Sequence, residues 1–300
     1  MNHATNRMNR DEWRAIDSPT DKTLFGVVHT THGPYAVGED GVVLAREETG
    51  WTTVIGSGPA TDRNRLTCVA ATPDRERCWF AGDSGALGLY DTRTGRKYDY
   101  TAPMEKTSTW EAIAVAGTPR DERLCVANGS GEVLPIGFDE HGCPRYGAVV
   151  EPGGGSTIAA LAADATACYA ADTSASVFET GDEEWSEIGI DCAQVDFFGL
   201  CLAGDSLLVG GDDGTIYRYD RACGNWTPLS VGEAAIHALA IDGDAAGTRA
   251  AAVGEGGAIV ERTPDRGWHG VDSPTDADLW GVALGSTGVA VGEDGTIIER

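Results

Sequence analysis

Gly82-Asp-Ser-Gly is the stretch of this 300-residue chain that matches a nucleophile motif, that of the serine proteases. A nucleophilic serine needs a base to take its proton and a third group to orient that base. The surrounding signature is missing, and the four residues share the register of Gly-Glu-Asp-Gly (38–41) and Gly-Asp-Asp-Gly (211–214). They are therefore read as a hairpin turn. Glycoside hydrolysis generally uses two carboxylates, and Trp110-Glu111 supplies the only one that can be placed in an inner strand. Cysteines at 68, 78, 125, 143, 168, 192, 201 and 223 form no C-x-x-C pair, so zinc ribbons and dithiol redox chemistry lack support. Most stand in apolar runs and are expected to be free, buried thiols. No cofactor, metal or catalytic residue is expected.

Charge is the stronger signal. The chain carries 22 basic and 47 acidic residues, a net −25, with only three lysines (Lys22, Lys97, Lys106). Such a chain is repelled by nucleic acid and by anionic membranes, so neither is an expected partner. Abundant Asp with scarce Lys has the look of a halophilic archaeon's salt-adapted cytosol. No apolar run approaches the length of a membrane span, and the N-terminus lacks a signal-like stretch. The expectation is a cytoplasmic protein with a tail at 1–10 and a structured body at 11–300.

The acidity is uneven. Residues 61–125 hold ten basic and ten acidic groups, whereas the remainder holds 12 and 37. Within that neutral island lie Arg75 and Arg77, then Arg93, Arg96 and Lys97, then Arg120 and Arg123. Their loops are expected on one face, where close or bidentate arginine contacts would dock an acidic protein partner. On the other face are expected Asp17, Asp21, Glu39, Asp40, Asp212, Asp213, Asp272, Asp276, Glu293 and Asp294. Their oxygens suit calcium, but no EF-hand-like spacing occurs.

These groups are positioned by a repeat. Residues 13–46 and 268–300 share DSPTD, Leu-aromatic-Gly-Val and AVGEDG, each followed by an apolar run ending in Arg. The closing turn position recurs at Gly41, Gly85, Gly131, Ala175, Gly214, Gly257 and Gly295, 38 to 46 residues apart. Short apolar runs separated by Gly and Asp turns are strands and hairpins, and four per unit of this length make a propeller blade. The predicted fold is all-β, a seven-bladed β-propeller of four-stranded antiparallel blades. The chain ends after the third strand of its last unit, so Trp13–Ile16 is expected to supply the missing outer strand and close the ring. Equivalent inner-strand positions fall on Phe25, Thr67, Glu111, Ala159, Phe198, His237 and Trp280. Pointing into the channel, Phe25, Glu111, Phe198, His237 and Trp280 would form a mixed pocket at its mouth.

AVGEDGVVLAREETGW (36–51), AVGEGGAIVERTPDRGW (252–268) and AVGEDGTIIER (290–300) resemble the BNR-like repeats of the photosystem II stability/assembly factor family. The likeness spans the chain repeat by repeat, weakest in blades 3 and 4, where 142–155 reads as loop. The stricter SxDxGxTW Asp-box is not satisfied. The resemblance implies a WD40-like propeller that binds other proteins through surface patches, one of them arginine-rich. It places the repeat arginine on Arg46, Arg262 and Arg300, each five residues past its turn glycine. Photosystem assembly itself is not implied. The functional expectation is a non-catalytic protein-interaction scaffold. The alternatives are a BNR-like hydrolase or lyase with a channel-mouth site, and a sensor of small ligands or glycans.

Overall fold

The Gly-x-x-Gly turn recurs because both of its glycines are crowded by neighbouring backbone. The N–H that follows the first glycine donates to a carbonyl just ahead of the same blade's inner strand: Glu39 to Thr23, Asp83 to Arg65, Glu255 to Ala235 and Glu293 to Asp278. A Cβ on Gly254 would collide with the Ala235 carbonyl oxygen that this bond holds in place. At the last turn position Gly295 has φ +69, and a Cβ there would meet the Thr20 carbonyl of the next linker. Each turn is thus clamped between its own linker and the following one.

In the computed structural model, residues 12–58, 60–119, 121–181, 184–190, 193–242 and 249–300 are described. Their strands form seven four-stranded antiparallel sheets. Blade 1 comprises Leu24–Thr30, Gly33–Gly38, Val43–Glu47 and Gly50–Ile55, and blade 2 Leu66–Ala71, Arg77–Gly82, Leu87–Asp91 and Lys97–Asp99. Blade 3 comprises Trp110–Thr118, Asp121–Asn128, Val133–Phe138 and Pro144–Tyr146, and blade 4 Ile158–Ala163, Cys168–Asp172, Val177–Thr180 and Trp185–Glu187. Blade 5 comprises Phe197–Ala203, Ser206–Gly211, Thr215–Asp220 and Asn225–Ser230, and blade 6 Ile236–Asp242, Arg249–Gly254, Ile259–Thr263 and Gly267–Gly270. Blade 7 takes Leu279–Ala283, Val289–Gly292 and Ile297–Glu299, with Arg14–Ile16 outermost. The expected closure is present: Arg14 pairs with Glu299, Ala15 with Ile298 and Ile16 with Ile297.

Packing follows the ring. Each inner strand contacts those of both neighbouring blades, and a separate apolar cluster fills each of the seven blade-to-blade boundaries. Second strands such as Ser206–Gly211 and Cys168–Asp172 are buried at every residue. Covered on both sheet faces, they need no polar–apolar alternation.

One local reading changes and another holds. The stretch 142–155 contributes the outer strand Pro144–Tyr146 and a bridge between Val133 and Val150. An outer strand pairs on one edge only and faces water, so Pro and Gly are tolerated and the apolar signal is lost. In blade 4, Ala175 takes the turn position at φ +64, where a side chain is strained by about 1–2 kcal/mol. Ala175→Gly is therefore expected to move stability by no more than about 1 kcal/mol, relief of strain offsetting lost backbone restriction. Gly295→Ala adds strain and a backbone collision, and is expected to cost about 2–5 kcal/mol. Urea denaturation of the two variants reads this contrast. Equal effects would show that the linkers do not clamp the turns.

Candidate interaction surfaces

The basic loops of blade 2, within the neutral island, lie at the end of the propeller away from the clamped turns. In blade 2 the loop between the first two strands is braced from within. Thr72 Oγ1 donates to Asp74 Oδ1 at 2.6 Å, and the Glu76 N–H donates to the same oxygen at 3.1 Å. Burial opposes ionisation of Asp74, but these bonds and nearby Arg77 outweigh it and hold its carboxyl below the ordinary range. The loop between the third and fourth strands joins this one, since Thr92 donates from N and Oγ1 to Glu76 O at 3.0 and 2.7 Å. Blade 1 attaches through Thr31 N–H on Arg75 O at 2.8 Å. On this braced surface Arg75, Arg93, Arg96 and Lys97 are exposed.

The other basic residues of the island behave differently. Arg77 turns its guanidinium onto Glu122, which is buried in blade 3, and stands 3.7 Å from Asp74. It works as a link between blades 2 and 3. Arg123 is exposed beside Arg145 on a groove of about 700 Å³ between blades 3 and 4. Arg120 lies outside the described residues.

The repeat arginines Arg46 and Arg300 are engaged across blade boundaries. Arg46 donates from Nε to Glu299 Oε1 at 2.7 Å, and Trp51 Nε1 donates to the same oxygen at 2.7 Å. One boundary earlier, Arg300 pairs with Glu261, whose Oε1 accepts Trp13 Nε1 at 2.8 Å. A third-strand glutamate thus receives the indole and the guanidinium of the following blade. Blade 5 breaks the pattern, because Arg218 occupies the corresponding place. Arg218 and Arg262 line a pocket of about 670 Å³ together with Trp268. This carboxylate clasp is absent from the sequence reading, although Glu-Arg at 261–262 and at 299–300 is its trace.

The inner-strand column comes together at one end of the channel. Every inner strand carries a register shift over its second residue, and those residues are Phe25, Thr67, Glu111, Ala159, Phe198, His237 and Trp280. The residue before each is buried, whereas the column residues are half-buried. A bulge re-aims a side chain that the pleat would otherwise bury. The seven line one cavity of about 310 Å³. Four rings from adjacent blades form an arc: Phe25 is 6.3 Å from Trp280, Trp280 stacks on His237 at 4.1 Å, and His237 meets Phe198 edge-on at 5.8 Å. The other arc holds Thr67, Glu111 and Ala159.

Electrostatics differ between the arcs. His237 Nδ1 donates to Leu279 O at 3.1 Å, leaving Nε2 as the acceptor. Burial lowers the pKa of the ring, the Leu279 bond and nearby acids opposing this. Burial raises Glu111 above the ordinary carboxylate range, with Arg65 pulling it down and Asp83 pushing it up. Arg65, missed in the sequence reading, rests its guanidinium 5.5 Å from the Phe25 ring centre and 3.3 Å from Asp83. Its signal was its position, directly ahead of an inner strand.

Among the described residues no group of three His, Cys, Asp or Glu side chains is placed to hold a metal ion. Cys68, Cys78 and Cys201 are pushed up to about 12 by burial, whereas Cys143 and Cys223 are exposed.

These elements define a closed seven-bladed β-propeller of four-stranded blades. A solved structure described as "YCF48 bound to D1 peptide" is similar to it over 97% of this chain and 97% of that one, with a TM-score of 0.73 and 14% identity. At that identity the likeness shows the fold. No protein-family model and no curated protein matches the chain.

Proposed function

We propose that this propeller is a non-catalytic interaction scaffold that docks an acidic segment of another protein on the loops of blade 2. Arg75, Arg93, Arg96 and Lys97 make the contact. The observation that carries this reading is the exposure of four cations on mutually braced loops, within a chain whose net charge is −25. Outside residues 61–125 the chain carries 37 acidic against 12 basic groups, so over most of it an acidic partner meets like charge. Braced loops also lose less freedom on binding than mobile ones. A peptide bound to the YCF48 propeller supports peptide docking on this architecture.

The absence of catalysis is part of the proposal. Among the described residues Glu111 is the one carboxylate lining the channel cavity, and His237 has given Nδ1 to a backbone carbonyl. Among the described residues no helix is long and apolar enough to cross a membrane, and the proposed setting is the cytosol.

The test compares affinity capture by the wild type with capture by a variant carrying Ser at 75, 93, 96 and 97. Arg77 is left in place because Glu122 depends on it. A partner retained by the wild type and reduced at least tenfold by the variant is the expected result. Equal retention would overturn the blade 2 site.

A further inference from the structure

The channel mouth and the basic loops lie at opposite ends of the propeller. The clamped turns bond to carbonyls just ahead of the inner strands, and the bulge residues sit at that same end. The turns and linkers around the mouth carry Glu39, Asp83, Asp212, Glu255, Asp278 and Glu293. Three of these, Asp278, Glu255 and Glu293, lie near enough to His237 to favour its protonated form against burial. The entrance is therefore a cavity inside a collar where Arg65 offsets Asp83 and the other five carboxylates leave an acidic excess, and such an arrangement concentrates cations.

The cavity itself favours an organic cation over a bare ion. Its aromatic arc offers Phe25, Trp280, His237 and Phe198 to the carbon stem or planar head of a side chain. Glu111 faces that arc from blade 3 as a half-buried carboxylate. The mouth already shows the chemistry once, because Arg65 rests on Phe25 while paired with Asp83. Arginine over an aromatic face beside a carboxylate is a favourable pairing. A volume of about 310 Å³ admits one such side chain and little more.

We infer that the channel mouth receives an arginine side chain from a protruding segment of a partner protein, its stem against the aromatic arc and its guanidinium toward Glu111. This goes beyond the blade 2 reading and does not depend on it, since the two surfaces take opposite charge at opposite ends.

Calorimetry on the full chain tests it with the pentapeptide acetyl-Gly-Gly-Arg-Gly-Gly-amide. The control is the same peptide with citrulline, which keeps the shape of arginine and removes the charge. The arginine peptide is expected to bind at least tenfold tighter than the citrulline peptide. Glu111→Gln, close to isosteric, is expected to weaken the arginine peptide at least tenfold and to abolish the preference. Arg75→Ser, at the other end, is expected to leave it unchanged. Equal binding of the two peptides, or none by either, would overturn the proposal without reference to any variant. N-acetyl-arginine methylamide binding as tightly as the pentapeptide would overturn it in favour of a small free cation.

Discussion

Replacing Trp13 by alanine is expected to lower the free energy of unfolding by about 3–5 kcal/mol. The indole is 5% exposed and belongs to the cluster that joins blades 6 and 7, among Ala251, Val253, Ile259 and Leu279. It directly precedes the strand that closes the ring, so its burial also holds Arg14–Ile16 in register with Ile297–Glu299. The loss is a large share of the 5–15 kcal/mol typical of a folded domain. Guanidinium denaturation measures it, and limited proteolysis is expected to cut first at the N-terminal strand. Trp13→Phe separates the contributions, keeping most of the apolar contact and removing only the bond to Glu261. It is expected to cost about 1–3 kcal/mol. A Trp13→Ala protein as stable as the wild type would mean that the outer strand is not what closes the ring.

A comparable effect is expected from a carboxylate with no part in any binding surface. Glu261 is 5% exposed and holds both Arg300 and the Trp13 indole N–H. Glu261→Ala strips both donors of their acceptor, and breaking a buried pair in this way costs about 3–5 kcal/mol. Glu261→Gln keeps an oxygen for Trp13 and removes the charge opposite Arg300, so a smaller loss is expected. The exposed pair of Lys22 and Asp40, at 3.3 Å, supplies the contrast: Asp40→Asn is expected to change stability by less than about 1 kcal/mol. Denaturation midpoints of the three variants decide the matter. If Glu261→Ala matched Asp40→Asn, the clasp would be a surface ion pair of no structural consequence.

The two halves of the clasp explain what could and could not be read from residues alone. Turn glycines are legible because each is forced by a backbone carbonyl close to it in the repeat, so the constraint recurs at every unit and announces the blade. The channel column is legible for the same reason, since one bulge at one register places every member. Arg46 meeting Glu299, or Trp13 meeting Glu261, joins residues 253 and 248 positions apart. Nothing local encodes such a pair, and an arginine at a strand end looks equally ready for solvent, a partner or a neighbouring blade. Arg77 shows the same ambiguity: its loop placed it with Arg75, yet Glu122 of the next blade turned it inward. Charge counts found the neutral island, but only the pair of Arg77 with Glu122 divides the linking Arg77 from exposed Arg75, Arg93, Arg96 and Lys97.

Closure by the N-terminal strand also sets an order of events during synthesis. Arg14–Ile16 is made before every other strand of the propeller, and its hydrogen-bonding partner Ile297–Glu299 after all of them. Domains begin to fold as they emerge, so blades can assemble one after another while this strand waits with nowhere to pair. The final contact spans nearly the whole chain, and contacts of such sequence separation are slow to form. A nascent chain stalled before its last strand would be an open arc with two raw edges. Emergence of Ile297–Glu299 is thus itself the signal that shuts the ring.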